Sequence, residues 1–285
     1  MEQWPVAGSC DNGRTMPELP EVETIANGLN KRVQNDRIES VWIGKKREPL
    51  KSPAAEIART LEGTLIAGVR RVGKHIVFDL KPEHGPATRQ WIVHLGMTGR
   101  MLVTGPEAKI EKHTHLIAKL FSGRELRFVD PRRFGRLEVR KEAFAGPGTE
   151  PLLVDLENFV TLFRKSKAPI KAALLNQKLL HGVGNIYADE SLFRARIRPR
   201  RRAHTLTKAE LEKLHSAVRK VLQEAIAAGG SSISDYVDAD GEAGFFQIQH
   251  RVYGREGEPC LVCKSPIKKI VVGGRGTHYC GKCQK

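Results

Sequence analysis

The stretch Met16-Pro17-Glu18-Leu19-Pro20-Glu21-Val22-Glu23-Thr24 begins the first regular pattern in the chain. Pro20 suits the first turn of a helix, where the missing amide hydrogen costs little. Glu21 and Glu23 suit the positive end of the helix dipole. The apolar residues that follow recur on one face of a helix, and they are Val22, Ile25, Ala26, Leu29 and Val33. The sequence therefore predicts an amphipathic helix that starts at about Pro20.

The fifteen residues before Met16 are polar and carry no periodic pattern, so we expect them to be disordered. They have neither a basic start nor an apolar centre and are therefore not a secretory signal. No apolar run in the chain approaches the roughly 18 residues that a membrane helix needs. These features favour a cytosolic protein, which we expect to be bacterial, with no membrane partner.

The chain has 285 residues, enough for one large domain or for two to three smaller ones. Its net charge is +16, and the sequence pI is about 9.8. A charge of this size favours polyanionic partners, above all nucleic acid. The alternative is a basic surface that only contacts solvent.

From about residue 37 to residue 140 the pattern is that of short β-strands. Ile76, Phe78 and Leu80 alternate with other residues, and further candidates are Trp91-Ile92-Val93, Leu116 to Phe121 and Leu126 to Val129. The pairs Gly85-Pro86 and Gly105-Pro106 mark turns. The series predicts a sandwich or barrel-like β domain, and Gly146-Pro147-Gly148 is a candidate hinge that follows it.

Residues 151–230 have a helical pattern instead. Thr207 and Glu210 have the spacing of a capping box, and Gly229-Gly230 ends the apolar face that follows. The leucines of this region are expected in the core: Leu152, Leu153, Leu156, Leu174, Leu175, Leu179, Leu180, Leu211, Leu214 and Leu222. A loop rich in Ser, Asp and Gly follows at about 231–245.

Four cysteines form two C-x-x-C pairs near the C-terminus: Cys260, Cys263, Cys280 and Cys283. Four thiolates suit a closed, tetrahedral structural zinc, and this spacing is typical of a zinc ribbon on a β-hairpin. Two disulfides or a redox pair are the alternatives. A module this short cannot build a sufficient core, so bound metal should supply much of its folding energy. Its basic residues suit DNA, but a transcription or ribosomal protein could carry the same module.

Five motifs together resemble the formamidopyrimidine-DNA glycosylase (Fpg/MutM) family. They are PELPEVET at 17–24, HLGMTG at 94–99, DPRRFG at 130–135, GVGNIYADE at 182–190 and the cysteine module from 252 to 283. The resemblance implies an α+β multidomain fold. Its parts would be a leader at 1–16, a β-sandwich catalytic domain flanked by helices at 17–148, a helix-two-turn-helix domain with a lesion-capping loop at 149–246, and a four-cysteine zinc finger at 247–285. The family works as a monomer.

The resemblance also assigns catalytic roles. Pro17 matches the family's nucleophile, whose neutral N-terminal amine attacks C1′ of a damaged nucleoside and forms a Schiff base. Glu18 matches the general acid/base, and Lys74 matches the lysine of the catalytic domain. Lys74 shares strand parity with Ile76, so we expect its side chain to point inward, toward a phosphate or the lesion; the alternative is a charge at the open end of the strand. Glu21 is either a helix-dipole partner or a structural contact.

A second set of residues matches the DNA-binding positions of the family. Met97, Arg132 and Phe134 match the trio that enters the duplex when the damaged nucleotide is extruded, a step that costs a few kcal/mol. Asn185 matches a phosphate-binding turn, Lys171 a phosphate-contacting lysine and Arg275 the zinc-finger arginine. Asn176 departs from the aspartate usual in the family. The run Arg194 to Arg202 is either a further basic surface or a solvated face.

The resemblance implies a bifunctional DNA glycosylase and abasic-site lyase for oxidised purines such as 8-oxoguanine and formamidopyrimidines, acting on duplex DNA. An enzyme of the endonuclease VIII type, specific for oxidised pyrimidines, is a second possibility, against which Leu19 and Met97 argue. A DNA-binding protein without lyase activity is a third. It would arise if residues 1–16 stayed attached, because an amide nitrogen at Pro17 cannot attack C1′. We expect the active form to start at Pro17.

Overall fold

The computed structural model describes residues 16–83, 89–231 and 249–285. The leader, Cys10, the predicted turn at Gly85-Pro86 and most of the loop after Ser231 lie outside the described residues. Within the described ranges no helix is both long enough and apolar enough to cross a membrane.

The elements follow the order that the sequence pattern predicts, with a first helix, a series of strands, a helical region and a final hairpin, and with one further helix between the first two strands. The strands are β1 (Ile38–Ile43), β2 (Leu65–Val72), β3 (His75–Lys81), β4 (Arg89–His94), β5 (Arg100–Thr104), β6 (Thr114–Leu120), β7 (Glu125–Val129), β8 (Arg136–Arg140), β9 (Ile267–Val272) and β10 (Arg275–Cys280). The helices are α1 (Leu19–Val33), α2 (Ala54–Leu61), α3 (Leu156–Arg164), α4 (Ile170–Leu175), α5 (Asn185–Arg194) and α6 (Lys208–Ala227), with a 3₁₀ turn at Ala203–Thr205.

Two four-stranded antiparallel sheets form a sandwich, as predicted. Their strand orders are β1-β6-β7-β5 and β2-β3-β4-β8. The inward faces of both sheets contribute to one apolar core, in which Phe78 pairs with Trp91 and the two rings stack at 4.6 Å. Helix α2, which the sequence analysis did not predict, packs Ile57 and Leu61 into the same core.

Helix α1 connects two cores. Val22, Ile25, Ala26, Leu29 and Val33 are buried on the sandwich, as their spacing predicts. Leu19, one turn earlier, belongs instead to the core of the helical region. The N-terminus of α1 is thereby fixed at the junction between the sandwich and the helices.

The helical region has its own core, built from α3 to α6 and Leu19. The predicted capping box of Thr207 and Glu210 is present at the start of α6. The prediction that Leu153 is a core residue is wrong, because α3 starts only at Leu156 and the Leu153 side chain is 81% exposed.

Helix α5 has no amphipathic signal, since its buried positions include Asp189, Glu190 and Ser191. These polar side chains are buried because the hairpin of β9 and β10 packs against the helix. Phe193 of α5 completes the small apolar cluster of the cysteine module.

Candidate active site

The carboxylate of Glu18 lies at the N-terminus of α5. Its Oε1 accepts a hydrogen bond from the backbone amide of Ile186 at 3.0 Å, and its Oε2 accepts a longer one from Tyr187 at 3.5 Å. The amide of Leu19 donates to the carbonyl of Gly182 at 3.1 Å. Residue Glu18 and the half-buried Pro17 are therefore held against the turn that precedes α5.

Gly184 is required for this contact. A Cβ atom at Gly184 would lie 2.2 Å from Cδ of Glu18 and 2.4 Å from its Oε1. Because real side chains do not approach so closely, any other residue would displace the carboxylate. The glycine in the GVGN motif thus makes room for Glu18 itself.

Glu18 is almost fully buried, with 3% of its surface exposed. Burial raises the pKa of Glu18 to about 7, an effect that the positive charge of Lys74 opposes and the negative charge of Glu21 reinforces. A carboxyl group with a pKa near neutrality is suited to donate and accept protons at physiological pH.

Lys74 lies in the turn between β2 and β3, immediately before the strand that its parity suggested. Its side chain is buried, as expected, and burial lowers its pKa, while Glu18 and Glu21 raise it. The positive charge of Arg275 also lowers the pKa of Lys74, to a smaller extent. Glu18 and Lys74 are thus two buried ionisable groups of opposite charge, each of which opposes the effect of burial on the pKa of the other.

Glu21 connects the start of α1 to the loop after α6. Its Oε2 accepts a hydrogen bond from the amide of Glu18 at 2.8 Å, and its Oε1 accepts from the amide of Ser231 at 2.8 Å and from the hydroxyl of Tyr187. The Ser231 hydroxyl lies 3.1 Å from Nε2 of His250. Burial raises the pKa of Glu21. Both earlier interpretations apply, because Glu21 lies in the first turn of α1 and completes its capping box, and it also makes structural contacts with Tyr187 and Ser231.

The prediction that Lys171 contacts a phosphate does not agree with the structure. Its side chain is completely buried, and Nζ lies 2.8 Å from Oδ1 of Asp189. It also donates hydrogen bonds of 2.8 Å to the carbonyl of Gly276 and to the hydroxyl of Thr277. A buried ammonium needs such partners to offset its lost hydration. Lys171 therefore supports the hairpin next to Arg275, whose own side chain is exposed.

Asp130 organises the loop that carries Arg132 and Phe134. The fully buried Asp130 carboxylate accepts hydrogen bonds from the Thr98 hydroxyl at 2.6 Å, the Arg132 amide at 3.2 Å and the Gly135 amide at 2.8 Å. Because Thr98 follows Met97, one carboxylate holds the HLGMTG and DPRRFG segments together.

All three side chains of the predicted DNA-entering trio reach the surface to some extent. Met97 is half-buried, Arg132 is exposed, and the Phe134 side chain is 49% exposed. The guanidinium of Arg132 lies 4.7 Å from the centre of the Phe134 ring. An exposed aromatic ring held next to a cation is available to a ligand, so the core role that Phe134 would have in most sequences is excluded.

Asn185 is the first residue of α5 and is half-buried. Among the described residues its buried Oδ1 has no hydrogen-bond partner. The Asn176 side chain accepts a hydrogen bond from the amide of Lys178 at 3.1 Å and so shapes the turn after α4. The departure from aspartate at this position leaves a local hydrogen bond in place.

The run Arg194 to Arg202 is neither a free basic surface nor a solvated face along its whole length. Arg198 donates to the carbonyls of Gln284 at 2.9 Å and Gly281 at 3.1 Å. Arg194 pairs with Glu224, and Arg201 with Glu210. Much of the run therefore fastens the cysteine module and α6 to the rest of the helical region.

The four cysteine sulfurs lie within 4.8 Å of one another, and two of the pairs are 3.9 Å and 3.4 Å apart. Tetrahedral zinc with Zn–S bonds of about 2.3 Å requires S···S distances of roughly 3.8 Å. The sulfurs are not bonded to one another, which excludes the disulfide alternative for this structure. The donor set fits one structural zinc ion and provides no open position for a reacting group.

Sequence reasoning missed three buried carboxylates with positioning roles, namely Asp130, Asp189 and Glu190. Asp189 accepts a hydrogen bond from the amide of His278 at 2.8 Å, and Glu190 accepts from the amides of residues 251, 252 and 253 at 2.9–3.1 Å. All three lie inside the motifs that carry the resemblance, but nothing in their spacing indicates which amides they bind.

Comparison with known proteins agrees with this architecture in each part. The model for the formamidopyrimidine-DNA glycosylase N-terminal domain matches residues 16–137, the model for the H2TH domain of the same enzymes matches 147–237, and the model for a zinc finger found in FPG and IleRS matches 257–285.

Two curated relatives are close over their full length. The formamidopyrimidine-DNA glycosylase of Listeria monocytogenes is 40% identical over 279 residues, which cover 95% of this chain and 100% of the relative. The enzyme of Bacillus subtilis is 42% identical, with 94% of this chain and 99% of the relative covered.

Solved structures give the same result. MutM (Fpg) from Thermus thermophilus superposes with a TM-score of 0.82 at 41% identity, covering 94% of this chain and 98% of that one. Lactococcus lactis Fpg bound to DNA containing an abasic site has a TM-score of 0.85 at 36% identity, with 94% and 99% covered. Sandwich, helix-two-turn-helix unit and four-cysteine finger define a DNA glycosylase fold. The chain belongs to the formamidopyrimidine-DNA glycosylase family.

Proposed function

We propose that this protein is a bifunctional DNA glycosylase and abasic-site lyase that removes oxidised purines from duplex DNA. The observation that carries the proposal is the position of Glu18: a buried carboxyl group with a pKa of about 7, next to Pro17 and at the N-terminus of α5. Family membership supports the substrate class, since the relatives are formamidopyrimidine-DNA glycosylases and the solved neighbours include complexes with abasic-site and Fapy-dG DNA.

The proposed chemistry uses the amine of Pro17 as nucleophile. The neutral amine attacks C1′ of the damaged nucleoside, and the bond from C1′ to the base breaks with its electron pair leaving on the base. Glu18 supplies a proton to the sugar ring oxygen or the departing base. The amine then loses its proton, the C1′–O4′ bond breaks as the ring oxygen takes up a proton, and the opened sugar is left as an iminium ion between Pro17 and C1′. The iminium ion acidifies the neighbouring sugar hydrogens, so successive β- and δ-eliminations expel the two phosphates and cleave the strand. Lys74 is proposed to reach the phosphate or the lesion from the turn between β2 and β3.

DNA binding is assigned to two surfaces. Met97, Arg132 and Phe134 are proposed to fill the gap that the extruded nucleotide leaves, an assignment that the exposure of Arg132 and Phe134 supports. Asn185 and Arg275 are proposed to bind phosphates beside the site, while Lys171 acts only by holding the hairpin of Arg275. The domain limits proposed for these parts are 17–148, 149–246 and 247–285.

The proposed nucleophile requires Pro17 to be the first residue of the chain. With residues 1–16 attached, the nitrogen of Pro17 is an amide whose lone pair is delocalised, so it cannot attack C1′. We propose that the active form starts at Pro17, and the match of the family model from residue 16 onward supports this boundary. The unprocessed form is a second candidate, a protein that binds damaged DNA without cutting it. A bacterial cytoplasm, which keeps cysteines reduced, suits the zinc site.

The test is strand cleavage by protein that starts at Pro17, on a duplex with a single 8-oxoguanine. Excision followed by β,δ-elimination leaves phosphate groups at both ends of a one-nucleoside gap. A matched duplex with undamaged guanine is the control. Release of an oxidised pyrimidine with no release of 8-oxoguanine would instead identify an enzyme of the endonuclease VIII type.

Binding to the same duplex should weaken steeply with salt. For each phosphate contact that the protein neutralises, log K falls by about 0.9 per tenfold increase in salt concentration. An affinity that stays constant between low and physiological salt would contradict the proposed DNA surface.

A further inference from the structure

The ring of His181 is wedged between two glycines from different parts of the chain. A Cβ atom at Gly73 would lie 2.2 Å from Cε1 and Nε2 of the ring, and one at Gly146 would lie 2.2 Å from Nδ1. Both glycines have positive φ, +58° and +79°. Gly73 belongs to the turn that carries Lys74, and Gly146 belongs to the segment that leaves the sandwich. One imidazole thus fills the space between the Lys74 turn and the start of the helical region.

His181 is also fixed from the other side. Its amide donates to the carbonyl of Thr149 at 2.8 Å, and the next residue, Gly182, accepts the hydrogen bond from Leu19. The backbone of His181 is therefore part of the turn that holds Pro17, Glu18 and Asn185. His181 thus contacts the Lys74 turn and is continuous with the turn that receives Glu18.

A neighbouring ionic contact braces the same turn. The amide of Gly73 donates to Oε2 of Glu150 at 3.1 Å, and Arg71 pairs with Oε1 of Glu150 at 2.7 Å. The Lys74 turn is thus held against the helical region on two sides, by Glu150 and by His181. Glu150 fixes the backbone of the Lys74 turn, whereas the ring of His181 sets how closely this turn approaches the helical region.

The surroundings of His181 favour an uncharged ring that acts by shape. His181 is 2% exposed, and its ring lies 5.4 Å from that of His75, which in turn lies 4.9 Å from the rings of His94 and Phe144. Among the described residues Nδ1 of His181 has no hydrogen-bond partner. Burial, assisted by His75, Arg71 and Lys74, lowers the pKa of His181 to about 4. At neutral pH the ring therefore adds no charge next to Lys74.

We infer that His181 is a positioning residue that holds the Lys74 turn at the correct distance from Glu18 and the proposed Pro17 nucleophile. The inference rests on the proposed function for its catalytic consequence, but its structural part does not. Removing the ring opens a space under Gly73 into which the turn can move. Lys74 then no longer keeps its position relative to Glu18.

The structural part is tested by chemical labelling of Lys74. Protein that starts at Pro17, with zinc bound, is treated briefly with acetic anhydride, and acetylation at Lys74 is measured by peptide mass spectrometry. We expect His181→Ala to raise the labelling rate several-fold and His181→Phe, which keeps a planar ring, to restore it. The matched control is His215→Ala, which removes a half-buried ring from the helical region, tilted against Phe159 with ring centres 5.0 Å apart.

If His181→Ala fails to fold, Gly146→Ala perturbs the ring from its other face and should raise the labelling of Lys74 in the same way. Labelling of Lys74 that is unchanged in the folded variants, or raised equally by His215→Ala, overturns the inference. This readout does not need an active enzyme.

The catalytic part is tested by a double-mutant cycle with Lys74→Ala under single-turnover conditions. A displacement of about 1 Å can cost up to a hundredfold in rate, so we expect His181→Ala to slow excision about tenfold or more while the Kd for an abasic-site duplex stays within about twofold. The effect should vanish in the Lys74→Ala background. If the rate losses of His181→Ala and Lys74→Ala multiply in the double variant, His181 does not act through Lys74 and the inference is overturned. An inactive wild type with a positive labelling result contradicts the proposed function alone.

Discussion

Oε1 of Glu18 accepts a hydrogen bond of 3.0 Å from the amide of Ile186, a residue 168 positions further along the chain. This bond joins the N-terminus of α1 to the N-terminus of α5, and so joins the sandwich to the helical region at the proposed reaction centre. The positive end of α5 favours the ionised carboxylate, but burial is the larger effect and leaves the pKa of Glu18 at about 7.

Replacing Glu18 with Gln should remove the acid/base function and retain DNA binding. The amide is nearly isosteric but cannot donate the required proton, so we expect excision to slow by about 10²- to 10⁴-fold. In the wild type, loss of the proton from Glu18 should reduce excision above pH 7. Single-turnover rates as a function of pH measure this, and a descending limb near pH 7 that persists in Glu18→Gln would assign the titration to another group.

Replacing Gly184 with Ala should act through Glu18. The new methyl group would lie 2.2 Å from Cδ of Glu18, so the carboxylate must leave the N-terminus of α5. We expect a destabilisation of about 1–3 kcal/mol and a loss of excision close to that of Glu18→Gln. Gly68→Ala is the matched control, because a Cβ atom there would meet only Asn30 Oδ1, at 3.7 Å. An unchanged excision rate in Gly184→Ala would contradict the proposed role of the contact.

Cys283→Ser should release zinc, unfold the cysteine module and abolish tight DNA binding while the sandwich stays folded. The module has a small core, and its remaining links to α5 are hydrogen bonds from its backbone to Asp189 and Glu190. Those amides keep their positions only while the hairpin is folded. Zinc content, near-ultraviolet circular dichroism and duplex affinity measure the three effects, and Lys282→Ser is a control next to the ligand. Tight binding by the zinc-free variant would show that the module is dispensable.

The protein should lose stability in mild acid through its buried histidines. Burial is the main cause that lowers the pKa of His75 to about 3 and of His94 and His181 to about 4, from 6.5 in the unfolded chain. The unfolded state therefore binds more protons, and stability falls as pH decreases from about 6.5 toward 4.

Each such histidine contributes on the order of 1.4 kcal/mol per pH unit inside that window. Glu18 has the opposite sign, because its raised pKa makes the folded state bind more protons between 4.5 and about 7. Urea unfolding at several pH values measures the combined effect on the free energy of unfolding. His181→Phe should flatten the slope of this free energy against pH. An identical slope in that variant would show that His181 does not contribute.

The sequence predicted most of what depends on local pattern. The apolar face of α1, the capping box of α6 and the four zinc ligands follow from spacing alone, and the structure contains all of them. The pairing of Glu18 with Lys74 in one site was implied only by the family resemblance, because the two residues are distant in the chain. Spacing carries no information on which distant segments meet.

The errors have the same physical origin. Lys171 was assigned to DNA because its position matches a phosphate-contacting lysine of the family, but Asp189 and two acceptors of β10 compensate its charge in this structure. Helix α5 had no apolar stripe to detect, since Asp189 and Glu190 serve as acceptors for backbone amides of the cysteine module. The two acceptors of Lys171 in β10 lie 105 and 106 positions away, and the amide of Val252 lies 62 positions from Glu190.

The central claim is that the amine of Pro17, once it is the chain terminus, forms the Schiff base. Borohydride trapping on an 8-oxoguanine duplex tests it most directly, with protein that starts at Pro17 compared with the 285-residue chain. We predict a covalent adduct of Pro17 with the DNA for the first protein, and binding without an adduct for the second. No adduct from folded, zinc-loaded protein that starts at Pro17, or an equal adduct from the longer chain, would contradict the account.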